Sequence, residues 1–135
     1  MKRQAKNSKL ARSLDKRIRE GRITLAQAVN LKPTEIAAVR IEAERLRQAG
    51  QAGRAGELLR LLVSFDPLDV ETWRALASLE QRRGRYQSAL VCLDTVDLIG
   101  ESTAEDLARR AACSSTASQH TQLISAAYLQ QGARR

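Results

Sequence analysis

His120, Cys92, Cys113, Asp94 and Asp97 are the side chains of this sequence best able to do chemistry. Their spacing gives them no shared task. His120 is the only histidine, with no cysteine or carboxylate at ligand spacing, so a metal centre lacks its donor set. Cys92 and Cys113 form no CxxC pair and are expected to be core thiols. Asp94 and Asp97 share a predicted helix with no base beside them, which leaves them as solvated or salt-bridging carboxylates. No glycine-rich phosphate loop and no nucleophile elbow is present. No catalytic, cofactor-binding or metal residue is therefore assigned, and the chain is not expected to be an enzyme.

Recognition is the chemistry that remains. Ala37, Arg40, Glu44, Arg47, Glu71, Arg74, Ser78 and Gln81 lie out of phase with the apolar stripes of two predicted helices. Long polar side chains in such a row can hydrogen-bond the backbone of an extended peptide, and the gaps between them can take its side chains. A solvated helix face is the alternative reading of the same row.

The helices that must position this row repeat. Val39, Ala43, Leu46, Gly50, Ala55, Leu59, Leu62 and Pro67 are followed, at one constant offset, by Trp73, Ala77, Glu80, Gly84, Ala89, Leu93, Val96 and Glu101. That offset and pattern are those of the tetratricopeptide repeat, a helix-turn-helix unit that stacks into a solenoid. The expected fold is all-α, a tetratricopeptide-repeat helical array with two clear repeats, about 36–69 and 70–103. In the first, helices are expected near 35–48, capped by Thr34 after a break at Pro33, and near 52–64. In the second they are expected at 70–83, opened by Asp69, and at 86–98, with Gly84 at the turn. Ala77 and Ala89 are small because the two helices cross there. Ser102 to Glu105 reads as a capping box. A helix to about Cys113, a break at 114–118 and a last helix at 119–131 then form a degenerate repeat or capping pair over 104–131.

The net charge of +8 is unevenly placed. Residues 1–22 carry nine basic and two acidic side chains, and the rest of the chain is nearly balanced. The chain thus divides into a basic arm, 1–22, and a repeat domain, 23–135. Residues 1–9 read as a tail. Leu10, Leu14 and Ile18 make a short amphipathic helix to about Glu20 and are the candidate dimer contact. This apolar face is too narrow for membrane insertion. The arm's charge leaves nucleic acid as an alternative partner, although no aromatic residues alternate with its basic ones to stack bases. No apolar stretch follows the charged N-terminus, and no run approaches the roughly 20 residues of a membrane span, so a cytoplasmic protein with reduced thiols is expected.

Several segments in order carry a closer likeness. Glu20 to Ala26, the helix led by Glu35, the junction Leu61 to Asp69, Trp73 to Ala77 with Gln81, Gly84, Tyr86 and Ala89, and Arg110 to Cys113 together resemble class II type III secretion chaperones. These are the tetratricopeptide chaperones of translocator subunits. The resemblance covers about residues 20–113. It implies a cytoplasmic chaperone that holds a segment of a secreted translocator or export component in a concave groove until export, often as a homodimer, with no cofactor. A general protein-interaction adaptor of the same fold is the rival. The chain departs from the family in its basic arm, in a first leading helix that offers Arg40, Glu44 and Arg47 instead of aromatics, and in its poor third repeat.

Overall fold

The structure, a computed structural model, describes the backbone of residues 2–133 and the side chains of residues 9–133. Among the described residues, seven helices follow one another: α1 (Lys2–Arg19), α2 (Leu25–Ala28), α3 (Pro33–Gln48), α4 (Ala52–Phe65), α5 (Val70–Arg82), α6 (Tyr86–Ile99) and α7 (Ala104–Ala133). The pairs α3/α4 and α5/α6 are the two repeats. Each packs on itself, α4 then packs on α5, and α6 on α7, so the helices build an all-α array of the tetratricopeptide kind.

The core is the apolar stripe of each helix turned inward. Ile36 and Ala43 of α3, Ala55, Leu59 and Leu62 of α4, Leu76, Ala77 and Leu79 of α5, and Ala89, Cys92, Leu93 and Val96 of α6 are all buried. Each leucine so placed stabilises the fold by about 1.5–3 kcal/mol through removal of its side chain from water. Ala77 and Ala89 have no exposed surface at all, as expected of a close crossing of α5 and α6. Trp73 is half-buried, and its indole N–H donates to the Pro67 carbonyl at 2.8 Å, which fixes the turn between repeats. Gly84, between α5 and α6, and Gly100, between α6 and α7, take φ of 73° and 85°, the left-handed region where a side chain is strained.

The structure departs from the sequence reading at four points. First, α1 begins at Lys2 and not near Leu10, because residues 2–9 contain no Gly, Pro or β-branched residue to interrupt a helix. Second, Pro33 opens α3 instead of breaking the chain before it. Its missing N–H falls where a helix has no acceptor to offer, and the Glu35 carboxylate accepts from the Lys32 N–H at 3.3 Å. Third, the capping box before α7 sits one residue later than expected. Thr103 N–H donates to Asp106 at 3.0 Å, and Asp106 N–H to the Thr103 hydroxyl at 3.2 Å. Fourth, residues 114–118 do not break. The helix runs unbroken for 30 residues, with the hydroxyls of Thr116 and Thr121 donating back to the carbonyls of Ala112 and Ala117 at 3.0 Å.

Candidate functional site

The leading helices α3, α5 and α7 lie side by side along one face of the array. Between them runs an open groove of about 620 Å³. Ala37, Arg40, Ile41 and Glu44 line it from α3, and Glu71, Arg74 and Ala75 from α5. Thr103, Glu105, Asp106 and Arg109 close it on the α7 side. A recess of about 110 Å³ continues it deeper between α3, α4 and α5, with Arg47 and Ser78 on its wall. Of the eight residues expected from the sequence, Ala37, Arg40, Glu44, Glu71 and Arg74 thus meet in the groove. Arg47 and Ser78 stand at the recess, and Gln81 lines neither.

Arg40 and Arg74, one repeat apart, hold the array together. Arg40 donates to Asp69 at 2.6 Å and to the Thr72 hydroxyl at 3.4 Å, and the Thr72 hydroxyl in turn donates to Asp69. Arg74 donates from Nε to both oxygens of Asp106, at 3.2 and 3.0 Å, and from Nη2 to the Glu101 carbonyl at 2.7 Å. Each guanidinium therefore clamps the start of the next leading helix. Asp106 is buried, and Arg74 holds its carboxyl below the usual range against the opposing effect of burial, with help from Thr103. The same contact raises Arg74. Arg47 grips Glu44 with two bonds of 2.8 and 2.5 Å and brings that carboxyl down to about 2.

What the groove offers to a ligand is accordingly different from a row of free arginines. Its floor is apolar: Ile41 is 71% exposed, with Ala37 and Ala75 beside it. Its rim carries Glu71, paired with Arg74 at 2.6 Å, and Glu105, paired with Arg109 at 3.1 Å. Such a surface suits an apolar side chain on an extended or helical segment, flanked by polar contacts. Ile41, Ala75, Thr103, Glu105, Asp106 and Arg109 were not foreseen. The repeat period could have found several of them: Ala37, Glu71 and Glu105 share one position of the repeat frame, and Ile41, Ala75 and Arg109 share another.

Behind the groove, Glu80 of α5 is 2% exposed and faces Arg60 at 3.2 Å, Arg83 at 3.4 Å and Arg85 at 3.8 Å. It ties α4 to the α5–α6 turn. Burial, and then the Glu80 charge, push the Cys92 thiol up to about 11. Cys113 is buried too and is likewise raised by burial, so both cysteines are core thiols. His120 lies exposed on α7, and Asp94 pairs with Arg110 at 2.6 Å. No cluster of three His, Cys, Asp or Glu able to hold a metal occurs among the described residues. Nor is any described helix long and apolar enough to cross a membrane. Leu10 of the candidate dimer contact is exposed, while Leu14 and Ile18 are half-buried.

No protein-family model matches the sequence, and comparison with curated proteins gives no match. Solved structures do share the fold. A chain of a CopN–Scc3 complex superposes with a TM-score of 0.66 at 16% identity, covering 76% of this chain and 61% of that one. The Yersinia enterocolitica type III secretion translocator chaperone SycD superposes with a TM-score of 0.62 at 18% identity, covering 67% of this chain and 68% of SycD. This chain thus spans about three fifths of the chain it matches in the complex. At these identities the likeness is one of fold: a helical array of the kind that type III secretion chaperones adopt.

Proposed function

We propose that this protein is a chaperone of a bacterial type III secretion system. It binds a segment of a secreted translocator or export component in the groove between α3, α5 and α7 and holds it until export. The observation that carries the reading is the open groove itself, with Ile41 exposed on an apolar floor and charged pairs along the rim, on a fold shared with a translocator chaperone. Occlusion is the mechanism. A client segment seated over Ile41, Ala37 and Ala75 is withheld from aggregation and from membranes, and no bond is made or broken. The protein acts as a binder in the cytoplasm and not as an enzyme.

The test is retention of a client. Wild-type protein and an Ile41→Arg variant are purified from the native host with nuclease present, and the bound proteins are compared. The expected result is one stoichiometric partner with amphipathic or membrane-spanning segments, lost from the variant while its helicity is unchanged. A partner retained equally by the variant removes the groove from the reading. Recovery of ordinary soluble proteins alone would favour a general adaptor.

A further inference from the structure

Three arginines share one carboxylate behind the groove. Arg60 of α4, with Arg83 and Arg85 of the α5–α6 turn, surrounds Glu80 at 3.2, 3.4 and 3.8 Å. Two hydrogen bonds result, from Arg60 Nη2 and Arg83 Nη1, and both go to Oε1. Oε2 is buried without a hydrogen bond, and Arg85 stands off from it. Three guanidiniums carry about fifteen N–H donors, so most of theirs are uncommitted among the described residues. The side chains of Arg60 and Arg85 are 47% and 52% exposed. Three positive charges against one negative leave the cluster at +2.

The repeat does not require this cluster. One repeat earlier, Leu46 stands where Glu80 does, Ala49 where Arg83 does and Gln51 where Arg85 does, and the turn at Gly50 is made all the same. Leu46 packs against the core. A buried carboxylate at that position gives up its hydration, and a well-packed apolar residue is often as stable or more so. A fourth position changes with these three. Gly56 of α4 is the counterpart of Leu90 of α6, which packs against the core. A Cβ at Gly56 would fall 3.1 Å from Arg60 Nη1 and 3.5 Å from Arg83 Nη1. The glycine thus leaves the space that both guanidiniums occupy. All four positions serve one arrangement: arginines held from behind by Glu80, seated over Gly56, with donors left for another acceptor.

We propose that this cluster is a docking site for an acidic segment of a partner protein, separate from the client groove. Guanidiniums bind carboxylates through charge-assisted, bidentate hydrogen bonds. Glu80 holds Arg60 and Arg83 in advance, which lowers the side-chain entropy lost on binding. The charge count selects the ligand, since two neighbouring Asp or Glu side chains neutralise +2. Arg85 also borders an open hollow of about 250 Å³ with Gln87 and Ser88 of α6 and His120 and Thr121 of α7, and no carboxylate lines it. None of the three arginines lines the groove between α3, α5 and α7 or its recess, so docking here leaves the groove free. A nucleic-acid strand suits the cluster less well. Glu80 offsets part of the charge, and Tyr86, the aromatic residue of the turn, packs against the core.

Fluorescence anisotropy of a dye-labelled polyglutamate peptide with the full-length protein, at physiological ionic strength, tests the site. Arg60→Gln with Arg85→Gln removes two charges from the cluster and leaves Arg83 on Glu80. Arg12→Gln with Arg17→Gln removes two from exposed positions of α1 and is the charge-matched control. Circular dichroism checks that helicity is kept. The wild type is expected to bind, and the cluster variant to bind about tenfold more weakly for the loss of two partly exposed charged contacts. The control is expected to stay within about twofold of wild type, because charges outside the site are screened. Arg85→Gln alone, at a side chain with no hydrogen bond in the fold, should weaken binding about threefold and keeps the test valid where the double variant loses helicity. Equal weakening in the cluster variant and the control means that the peptide reads net charge, and overturns the proposal. A wild type that does not bind leaves the arginines a purely structural tie and overturns it too. So does a labelled single-stranded oligonucleotide of equal charge that binds the cluster more tightly than the peptide, which would assign the site to nucleic acid.

Discussion

Arg74→Ala removes the clamp between the second repeat and α7, and its effect can be worked out contact by contact. The side chain of Arg74 is 22% exposed and that of Asp106 is 6% exposed. The substitution deletes the two bonds from Nε to Asp106, the bond to the Glu101 carbonyl and the pair with Glu71. The Glu71 pair is an exposed one within a single helix and contributes about 0.3–0.5 kcal/mol. Hydrogen bonds to a buried charge contribute about 1.5–3 kcal/mol. Stranding a buried charge altogether costs about 3–5 kcal/mol, but Asp106 keeps its bond from the Thr103 N–H, so the loss stays below that limit. We expect about 2–3 kcal/mol at pH 7. The pH dependence follows from Asp106, whose carboxyl is lowered from 3.8 by Arg74 and then Thr103, against burial. A depressed folded value contributes stability above the unfolded value and loses it as pH falls through the folded one. The gap between wild type and variant should therefore be full at neutral pH and narrow below about pH 4. Urea unfolding followed by circular dichroism at both pH values measures it. A loss under about 0.5 kcal/mol at pH 7, the level of an ordinary surface substitution, would refute the clamp. A gap that did not shrink with acid would refute the assignment to Asp106.

Ala77→Leu should force α5 and α6 apart and cost about 1–3 kcal/mol, since Ala77 and Ala89 have no exposed surface to yield; an unchanged thermal midpoint would mean that the helices do not cross there. Gly84→Ala should cost about 1–2 kcal/mol from backbone strain alone, because φ is 73° and no atom lies within 4 Å of the added methyl; thermal melting decides it. Cys92, with its thiol pushed up to about 11 and its side chain buried, should resist a thiol-specific chromogenic reagent at pH 8 in the native protein and react after unfolding in urea. Rapid native labelling of a Cys92 that is the sole remaining cysteine would contradict that burial.

The array was legible because its determinants are periodic. Small residues at Ala77 and Ala89, the turn at Gly84 and the helix end at Gly100 each follow from one residue's size or backbone freedom, and the repeat frame places them together. The α7 continuity was not legible. Five consecutive small and polar residues, 114–118, read as a break, yet none is Gly or Pro, and Thr116 satisfies its hydroxyl on the helix's own backbone. Pro33 misled for the opposite reason: a helix breaker inside a helix is a helix opener at its first position. The groove was half legible. Phase along α3 and α5 put Arg40 and Arg74 on the correct face, but their partners Asp69 and Asp106 are 29 and 32 residues away, at the start of the next leading helix. Glu80 hides among apolar positions of α5, and only the arrival of Arg60, Arg83 and Arg85 from other turns explains its burial.

This division of labour decides how the groove must be probed. Arg40 and Arg74 line it, yet each is bound to a carboxylate at the start of the next leading helix, so reversing their charge would alter the curvature of the array before it altered any contact with a client. Lost binding in an Arg40→Glu variant would then say nothing about recognition. Ile41 carries the opposite information. It is the large apolar side chain on the floor, it is 71% exposed, and it lies outside the buried core cluster and the residues packed against it. The same reasoning ranks the rim. Glu105 is 80% exposed and paired only with Arg109 of its own helix, so its replacement by glutamine spares the clamp. A client that needs the groove should feel Ile41→Arg strongly and Glu105→Gln modestly, while the melting midpoint of both variants stays at the wild-type value. A client that responds to Arg74→Ala alone is reading the array's curvature and not its floor.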